Sequence, residues 1–491
     1  MKKKPHIIII MADQLRYDVL GKGFTPAIDA LAEDSAVFSN AYTASALCVP
    51  ARGVFFTGTY PCENGCLINS GSAEAYVTKP VSNLYEMLEN DWDSWHSGKQ
   101  HFRTLPHTLE SREDGKTKFI TLTRTYHEYI KENNMRLPGG PEFRGLCPEV
   151  ASDVLSTTRT YSIPTTGVYE WGFDAHTDGY FAKGAVEAVR KRDPNKPFLL
   201  NAMFLAPHPP FDIPEPYYSK VSYEDFDLPD NVGVWYEGQS PLQLYHLPGF
   251  WGTKYSREEW REIWRVYLGL VSLLDKCVGI IIEELKRQNM YDDSLIIFTC
   301  DHGEMLGSHR LWQKMCLYEE SIKIPLFFKF PKGENIRPRV IDHYVSAVDV
   351  MPTICEYIDY YPSHKMSGCS LLDVIKKGAE PKREAVFSQY DGNKSLANTQ
   401  RCIIKDGYKL IVSMFRDEKY LELYNISEDP QETVNLIFEK EYLSQAGELL
   451  NDLIRHMKET KDIYSLDENL IGTFLDNVKN SEPSVPLREI I

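Results

Sequence analysis

Ile7-Ile8-Ile9-Ile10-Met11-Ala12-Asp13-Gln14 is the segment on which the reading of this chain turns. Its apolar run is continuous and β-branched, as in a parallel strand covered on both faces, rather than alternating as in a strand with one face in water. The run then stops at a carboxylate and an amide. Open α/β sheets bind ligands beyond the carboxyl ends of their strands, which makes Asp13 and Gln14 site candidates. The same pattern recurs far downstream, where Ser294-Leu295-Ile296-Ile297-Phe298-Thr299-Cys300 delivers Asp301-His302-Gly303-Glu304. Two distant strands ending in ligand-type residues point to one divalent-cation site built from Asp13, Gln14, Asp301 and His302. Carboxylate and amide oxygens suit a hard cation, Ca2+ first, and the imidazole also admits Mn2+. Helix capping would account for either aspartate alone, but less well for both after apolar strands.

The rest of the chain has the same α/β character. Pro26 with Ile28, Leu31 and Ala32 predicts a short amphipathic helix. The segment 197–204 reads as another buried strand, followed by Ala206-Pro207-His208-Pro209-Pro210-Phe211, whose prolines fix the backbone around His208. Ser256-Arg257-Glu258-Glu259 is a capping box opening a long helix to about residue 288, with Ile263, Tyr267, Leu270, Leu274 and Val278 on one face. Residues 104–180 read as loops that shape a pocket. Beyond about 380 the pattern changes to short alternating runs, which predicts a smaller antiparallel sheet. The expected division is a catalytic domain over 1–380 and an α+β subdomain over 381–491.

The chain has 491 residues and a formal net charge of −16, which argues against a nucleic-acid surface but not against an anionic substrate in a locally positive cleft. The apolar run at 7–11 is shorter than the ~7–15 residues of a secretory signal, and no stretch approaches the ~20 of a membrane span. The ten cysteines show no complete zinc spacing; Cys62 and Cys66 read as loop thiols. A reduced, cytoplasmic protein that touches neither nucleic acid nor membrane is expected, with homo-oligomerisation left open.

Leu47-Cys48-Val49-Pro50-Ala51-Arg52-Gly53 contains Cys-x-Pro-x-Arg, and here the chain resembles the type I sulfatases of the alkaline phosphatase superfamily. The resemblance implies a large, mixed, mostly parallel sheet sandwiched by helices, with a smaller C-terminal antiparallel sheet. It also implies that a maturation enzyme oxidises Cys48 to formylglycine, whose hydrate is the nucleophile. Asp13, Asp301 and the matured Cys48 would bind the metal, and Arg52 would hold the formylglycine. Lys99 and His101, from Gly98-Lys99-Gln100-His101, would contact sulfate and the hydrated aldehyde, and His208 and Lys314 would complete the sulfate pocket. Lysines and a cation can neutralise a transferring sulfuryl group, and histidines can move protons near neutral pH.

Many sulfatases carry paired aspartates after the first strand and Asp-Asn after the later one; this chain has Asp13-Gln14 and Asp301-His302. That arrangement is similar to choline sulfatases and phosphonate monoester hydrolases, as is the run from Asp301 to Tyr318 with Gly307, Leu311, Trp312 and Lys314. The expected activity is hydrolysis of a sulfate monoester on a small sulfated substrate, a mono- or oligosaccharide. The rivals are phosphonate monoester or phosphodiester hydrolysis, choline sulfate hydrolysis with the same nucleophile, and a silent binding protein that is never matured. Tyr217, Trp235, Tyr245 and Trp251 are candidates for stacking on a sugar ring, though core packing explains them as well.

Overall fold

A computed structural model describes residues 4–150 and 156–480. The isoleucine run forms the strand His6–Asp13, buried from Ile7 onward, inside an eight-stranded sheet. Across the sheet the order is Arg339–Ser346, Ala36–Tyr42, Leu326–Lys329, Ser294–Cys300, His6–Asp13, Phe198–Pro207, Asp93–Gly98 and Lys118–Thr121. Only Leu326–Lys329 is antiparallel to its neighbours. All the other strands therefore run the same way and release their carboxyl ends along one edge. Met11 pairs with Thr299 and Ala12 with Cys300, so Asp13 and Asp301 emerge side by side.

Helices cover both faces, which is why the central strands are apolar throughout. Ser97 Oγ donates to the Phe181 carbonyl of helix Thr177–Lys191 at 2.8 Å. Its neighbour His96 points the other way and bonds the Tyr85 hydroxyl of helix Leu84–Leu88 at 2.9 Å. The long helix Arg257–Arg287 starts at the expected box, with Ser256 accepting from Glu259 N and the Glu259 side chain accepting from Ser256 N. It packs against helix Thr177–Lys191 and strand Phe198–Pro207.

The C-terminal runs form a four-stranded antiparallel sheet, Val386–Tyr390, Thr399–Lys405, Tyr408–Phe415 and Glu418–Asn425. Its two faces divide as the alternation requires. Cys402, Ile404 and Ile411 join the main core, while Ile403, Leu410 and Val412 pack with Leu449, Leu450 and Leu453 of helix Leu443–Glu459.

The reading of 104–180 as loops is corrected. Lys118–Thr121 is the last strand of the main sheet, Arg144–Val150 and Ser156–Ser162 form a hairpin, and Thr177 begins the fifteen-residue helix to Lys191. An edge strand of four residues, of which only Thr121 is buried, and a hairpin of mostly polar residues carry almost no apolar period, so composition could not separate them from loop. The aromatic side chains of Tyr217, Trp235 and Trp251 pack against the core, and Tyr245 lies edge-on to Phe415.

Candidate active site

Several parallel strands contribute side chains where their carboxyl ends meet. Asp13 and Asp301 follow the two strands paired above. Lys99 follows Asp93–Gly98, His208 follows Phe198–Pro207, and Cys48 opens helix Cys48–Thr57 a few residues after Ala36–Tyr42. That helix is buried at every position, so its first residue is fixed by the core. Asp13, Arg52, Asp301 and His302 are also buried, and Cys48 is only 1% exposed.

Arg52 organises the carboxylates. Its guanidinium donates to Asp301 Oδ2 at 3.0 Å and to Asp13 Oδ2 at 3.2 Å, and reaches the Lys99 carbonyl at 2.6 Å. Lys99 Nζ lies 2.5 Å from Asp13 Oδ2. The outer oxygens being taken, Oδ1 of each aspartate faces the interior of the cluster, 4.0 and 3.7 Å from His302 Nε2. Cys48 Sγ stands 3.0 Å from His302 Nε2 and 3.8 Å from Asp13 Oδ1. His302 Nδ1 donates to the Gly303 carbonyl at 3.0 Å, which turns Nε2 inward. One ligand atom from each of Asp13, Cys48, Asp301 and His302 falls within 4.8 Å of the others. Two hard oxygens with one imidazole are a donor set that fits a divalent cation.

Gln14 lies beside this cluster. At φ +68° its amide turns to Lys314 Nζ, which donates to Oε1 at 2.5 Å, while Nε2 donates to the buried Glu304 carboxylate. Lys314 Nζ is also 3.2 Å from His208 Nε2, and His208 Nδ1 donates to the Pro209 carbonyl at 2.5 Å. His101 is held by the same field, its Nδ1 buried with no hydrogen-bond partner. Hydrogen bonds and ion pairs thus join Asp13, Gln14, Cys48, Arg52, Lys99, His208, Asp301, His302 and Lys314 in one cluster, and His101 lies within the electrostatic reach of Lys99, Arg52 and Asp13.

The electrostatics follow from burial opposed by close charges. Burial alone would raise Asp13, but Lys99, His208, Arg52 and His302 hold its carboxyl well below the usual range. Burial disfavours charge on His302, yet Asp301 and Cys48 raise it to about 9. Burial and Asp13 oppose ionisation of the Cys48 thiol, and Lys314, His302 and Lys99 outweigh them to bring it below its ordinary value. Burial, then Lys314 and Lys99, holds His208 well below its normal range; burial, then Lys99 and Arg52, does the same to His101.

The family model for sulfatases matches residues 5–360, and that for the C-terminal part of N-sulphoglucosamine sulphohydrolase matches 307–460. The chain belongs to the sulfatase family. This sulfatase is 24% identical to an arylsulfatase of Clostridium perfringens over 95% of this chain and 97% of that one. Its fold is that of a phosphonate monoester hydrolase from Agrobacterium radiobacter, at a TM-score of 0.74 and 22% identity over 93% and 96% of the two chains. A structure of BT4656 with D-glucosamine-2-N,6-O-disulfate aligns at a TM-score of 0.72 and 19% identity, over 94% and 99%. The sulfatase is a sulfuric ester hydrolase with the alkaline phosphatase-like architecture.

Three supporting residues of the sulfatase were not legible as such. Asn69 Oδ1 accepts from Val49 N at 3.0 Å, tying down the start of the Cys48 helix. Buried Asp178 accepts from Leu205 N at 2.6 Å and Ala206 N at 3.2 Å, holding the segment that presents His208. Glu304 fixes Gln14. Each acts through tertiary hydrogen bonds; only Glu304, three residues past a strand tip, carried a local signal. Gly98 is required at φ +130°, because a Cβ there would lie 1.8 Å from the Met203 carbonyl oxygen.

Proposed function

We propose that this sulfatase hydrolyses a sulfate monoester on a carbohydrate, with residue 48 matured from cysteine to formylglycine and one divalent cation in the site. The supporting observation is the convergence of Asp13, Cys48, Asp301 and His302 within 4.8 Å, ringed by Arg52, Lys99, Lys314 and His208. Asp13, Asp301, His302 and residue 48 would hold the cation, Ca2+ by the hardness of the carboxylates or Mn2+ by the imidazole. When bound, it would supply positive charge against the sulfate oxygens, and the aldehyde hydrate at residue 48 would supply the nucleophile.

The chain's own groups account for the rest of the chemistry. Arg52, locked between both aspartates, keeps residue 48 and the carboxylates in register. The Lys314 ammonium is buried and that of Lys99 nearly so, and the two would stabilise charge on the equatorial oxygens of a bound sulfate. Burial first, and then those lysines, hold His208 neutral. Sulfate entering between them would offset their field, so that His208 Nε2 can take a proton from solvent before turnover and give it to the departing alkoxide, returning to the neutral ring. His101, whose buried Nδ1 has no hydrogen-bond partner, would be the group to take a proton from the matured side chain at residue 48. The sugar assignment is supported by the likeness to BT4656, whose structure holds a sulfated glucosamine.

Phosphonate monoester or phosphodiester hydrolysis is the second reading, favoured by Gln14 and His302 and by the similarity to the Agrobacterium enzyme. The ten cysteines all stand as free thiols, which supports action in a reducing compartment such as the cytoplasm; no helix among the described residues is long and apolar enough to cross a membrane. The test is kcat/KM for an aryl sulfate, a panel of sulfated mono- and disaccharides, choline sulfate, an aryl phosphonate and an aryl phosphodiester, using protein co-produced with a maturation enzyme. A sulfated sugar should give the highest value, and chelation should remove the activity. A higher value on phosphonate or phosphodiester would overturn the substrate, and full activity after chelation would overturn the cation.

A further inference from the structure

A second buried cluster shares no residue with the site around Cys48. A ring nitrogen of His309 and one carboxylate oxygen from each of Glu320 and Glu432 lie within 4.8 Å of one another. All three side chains are at most 3% exposed. His309 is stacked flat on Tyr318, with ring centroids 4.2 Å apart, and its Nε2 donates to the Gln431 carbonyl at 3.0 Å. Nδ1 is therefore a lone-pair acceptor, and it has no partner. Asn231 donates its amide to Glu320 Oε1 at 2.6 Å, which leaves its own Oδ1 unpartnered, as is Glu320 Oε2.

The charge balance points the same way. Lys409 Nζ sits 2.8 Å from Glu319 Oε1 and 2.7 Å from Glu432 Oε1, so this one ammonium already serves two carboxylates. Glu320 has no ion pair among the described residues. The unpartnered atoms of the cluster are thus His309 Nδ1 and Glu320 Oε2, both buried acceptors, while the Glu432 oxygens meet Lys409 Nζ and Glu319 N. Buried acceptors in this number are costly without a positive partner. A water molecule offers at most two protons, whereas a cation satisfies every lone pair directed at it.

We propose that His309, Glu320 and Glu432 form a structural site for a second divalent cation, of the zinc–manganese class selected by one imidazole nitrogen and two carboxylates. The site joins distant parts of the chain. His309 and Glu320 flank the Lys314 segment, and Glu432 lies just after the last strand of the small sheet, where its Oε2 also accepts from Glu319 N at 2.6 Å. The cation would fasten the C-terminal sheet to the loop that carries Lys314. Glu320 and Gln431 also line a cavity of about 790 Å³ with Arg16 and Asp18, so one edge of the cluster borders that space.

The test uses full-length protein in which the first site is blanked by Asp13→Asn and Asp301→Asn. After equilibration with Zn2+ or Mn2+ and removal of free metal, its content is measured by elemental analysis and its melting temperature with and without each ion. The proposal expects about one equivalent retained and a rise of several degrees. Adding Glu320→Gln, or His309→Gln if that variant folds poorly, should abolish both. Co2+ bound by the blanked protein should show a visible d–d band that either further substitution removes. A blanked protein that retains no metal and melts at the same temperature with either ion would overturn the proposal, as would retention that is indifferent to Glu320 and His309.

Discussion

Replacing Gly98 by alanine adds one methyl group at the end of the strand that presents Lys99. At φ +130° any side chain is strained, by about 1–3 kcal/mol for such a conformation. The new Cβ would also stand 1.8 Å from the Met203 oxygen and 2.6 Å from its carbonyl carbon, whereas an ordinary contact needs about 3.4 Å. Relief requires a shift of roughly 1.5 Å, and the obstructing atom is backbone that cannot rotate away. That carbonyl accepts the Lys99 amide at 2.8 Å, so movement at either residue displaces the lysine from Asp13. A misplacement of about 1 Å in catalytic machinery can cost about 100-fold. Gly98→Ala should therefore lower kcat/KM on an aryl sulfate by about 100-fold or more and lower the melting temperature by several degrees. Gly447→Ala is the control: it lies inside helix Leu443–Glu459 with nothing beyond the local helix backbone within 4 Å of its Cβ position, and should leave activity intact while stabilising by up to about 1 kcal/mol. Wild-type activity and melting temperature in the Gly98 variant would refute the reasoning.

Burial pushes Asp178 up to about 7, although the amides of Ala206 and Leu205 pull it down. Its folded value lies above the ordinary ~3.9, so the stability it contributes is complete below about pH 4 and is lost as pH rises through 7, by up to about 4 kcal/mol. Urea unfolding of Asp178→Asn should accordingly show a smaller loss of stability between pH 5 and pH 8 than the wild type; equal losses would contradict the assignment. Ser256→Ala removes the acceptor that caps the long helix at Glu259 N and should cost about 1 kcal/mol in a denaturant melt with kcat unchanged. Lys314→Ala takes away one of the ammonium groups beside His208 and should lower kcat by about 100- to 1,000-fold; a steady-state assay showing only a raised KM would make Lys314 a binding residue alone.

The strand tips were readable because strands buried on both faces show as uninterrupted apolar runs, so that Asp13 and Asp301 stand out as the first polar residues after them. Ser256 was readable for a similar local reason, since a capping box is complete within four residues. What sequence could not give is whatever rests on distant backbone. Asp178 looks like any acidic residue in a helix's first turn, and only the fold brings the Leu205 and Ala206 amides to it. Asn69 sits in a Ser/Gly-rich loop with no period to mark it. Lys118–Thr121 is too short and too exposed to reveal an edge strand. Gln14, directly after Asp13, reads in sequence as a metal ligand; its positive φ turns the amide onto Lys314 and Glu304, just past the bulge where the first strand leaves the register of Phe198–Pro207.

The central claim is that residue 48 acts as an oxidised side chain among Asp13, Asp301 and His302. Mass spectrometry of the peptide spanning residue 48, from protein whose turnover of a sulfate ester has just been measured, tests it most directly. That peptide should carry the mass of an aldehyde or its hydrate in place of the thiol, in a fraction that tracks specific activity across preparations. An active preparation in which that peptide carries only unmodified cysteine would contradict it.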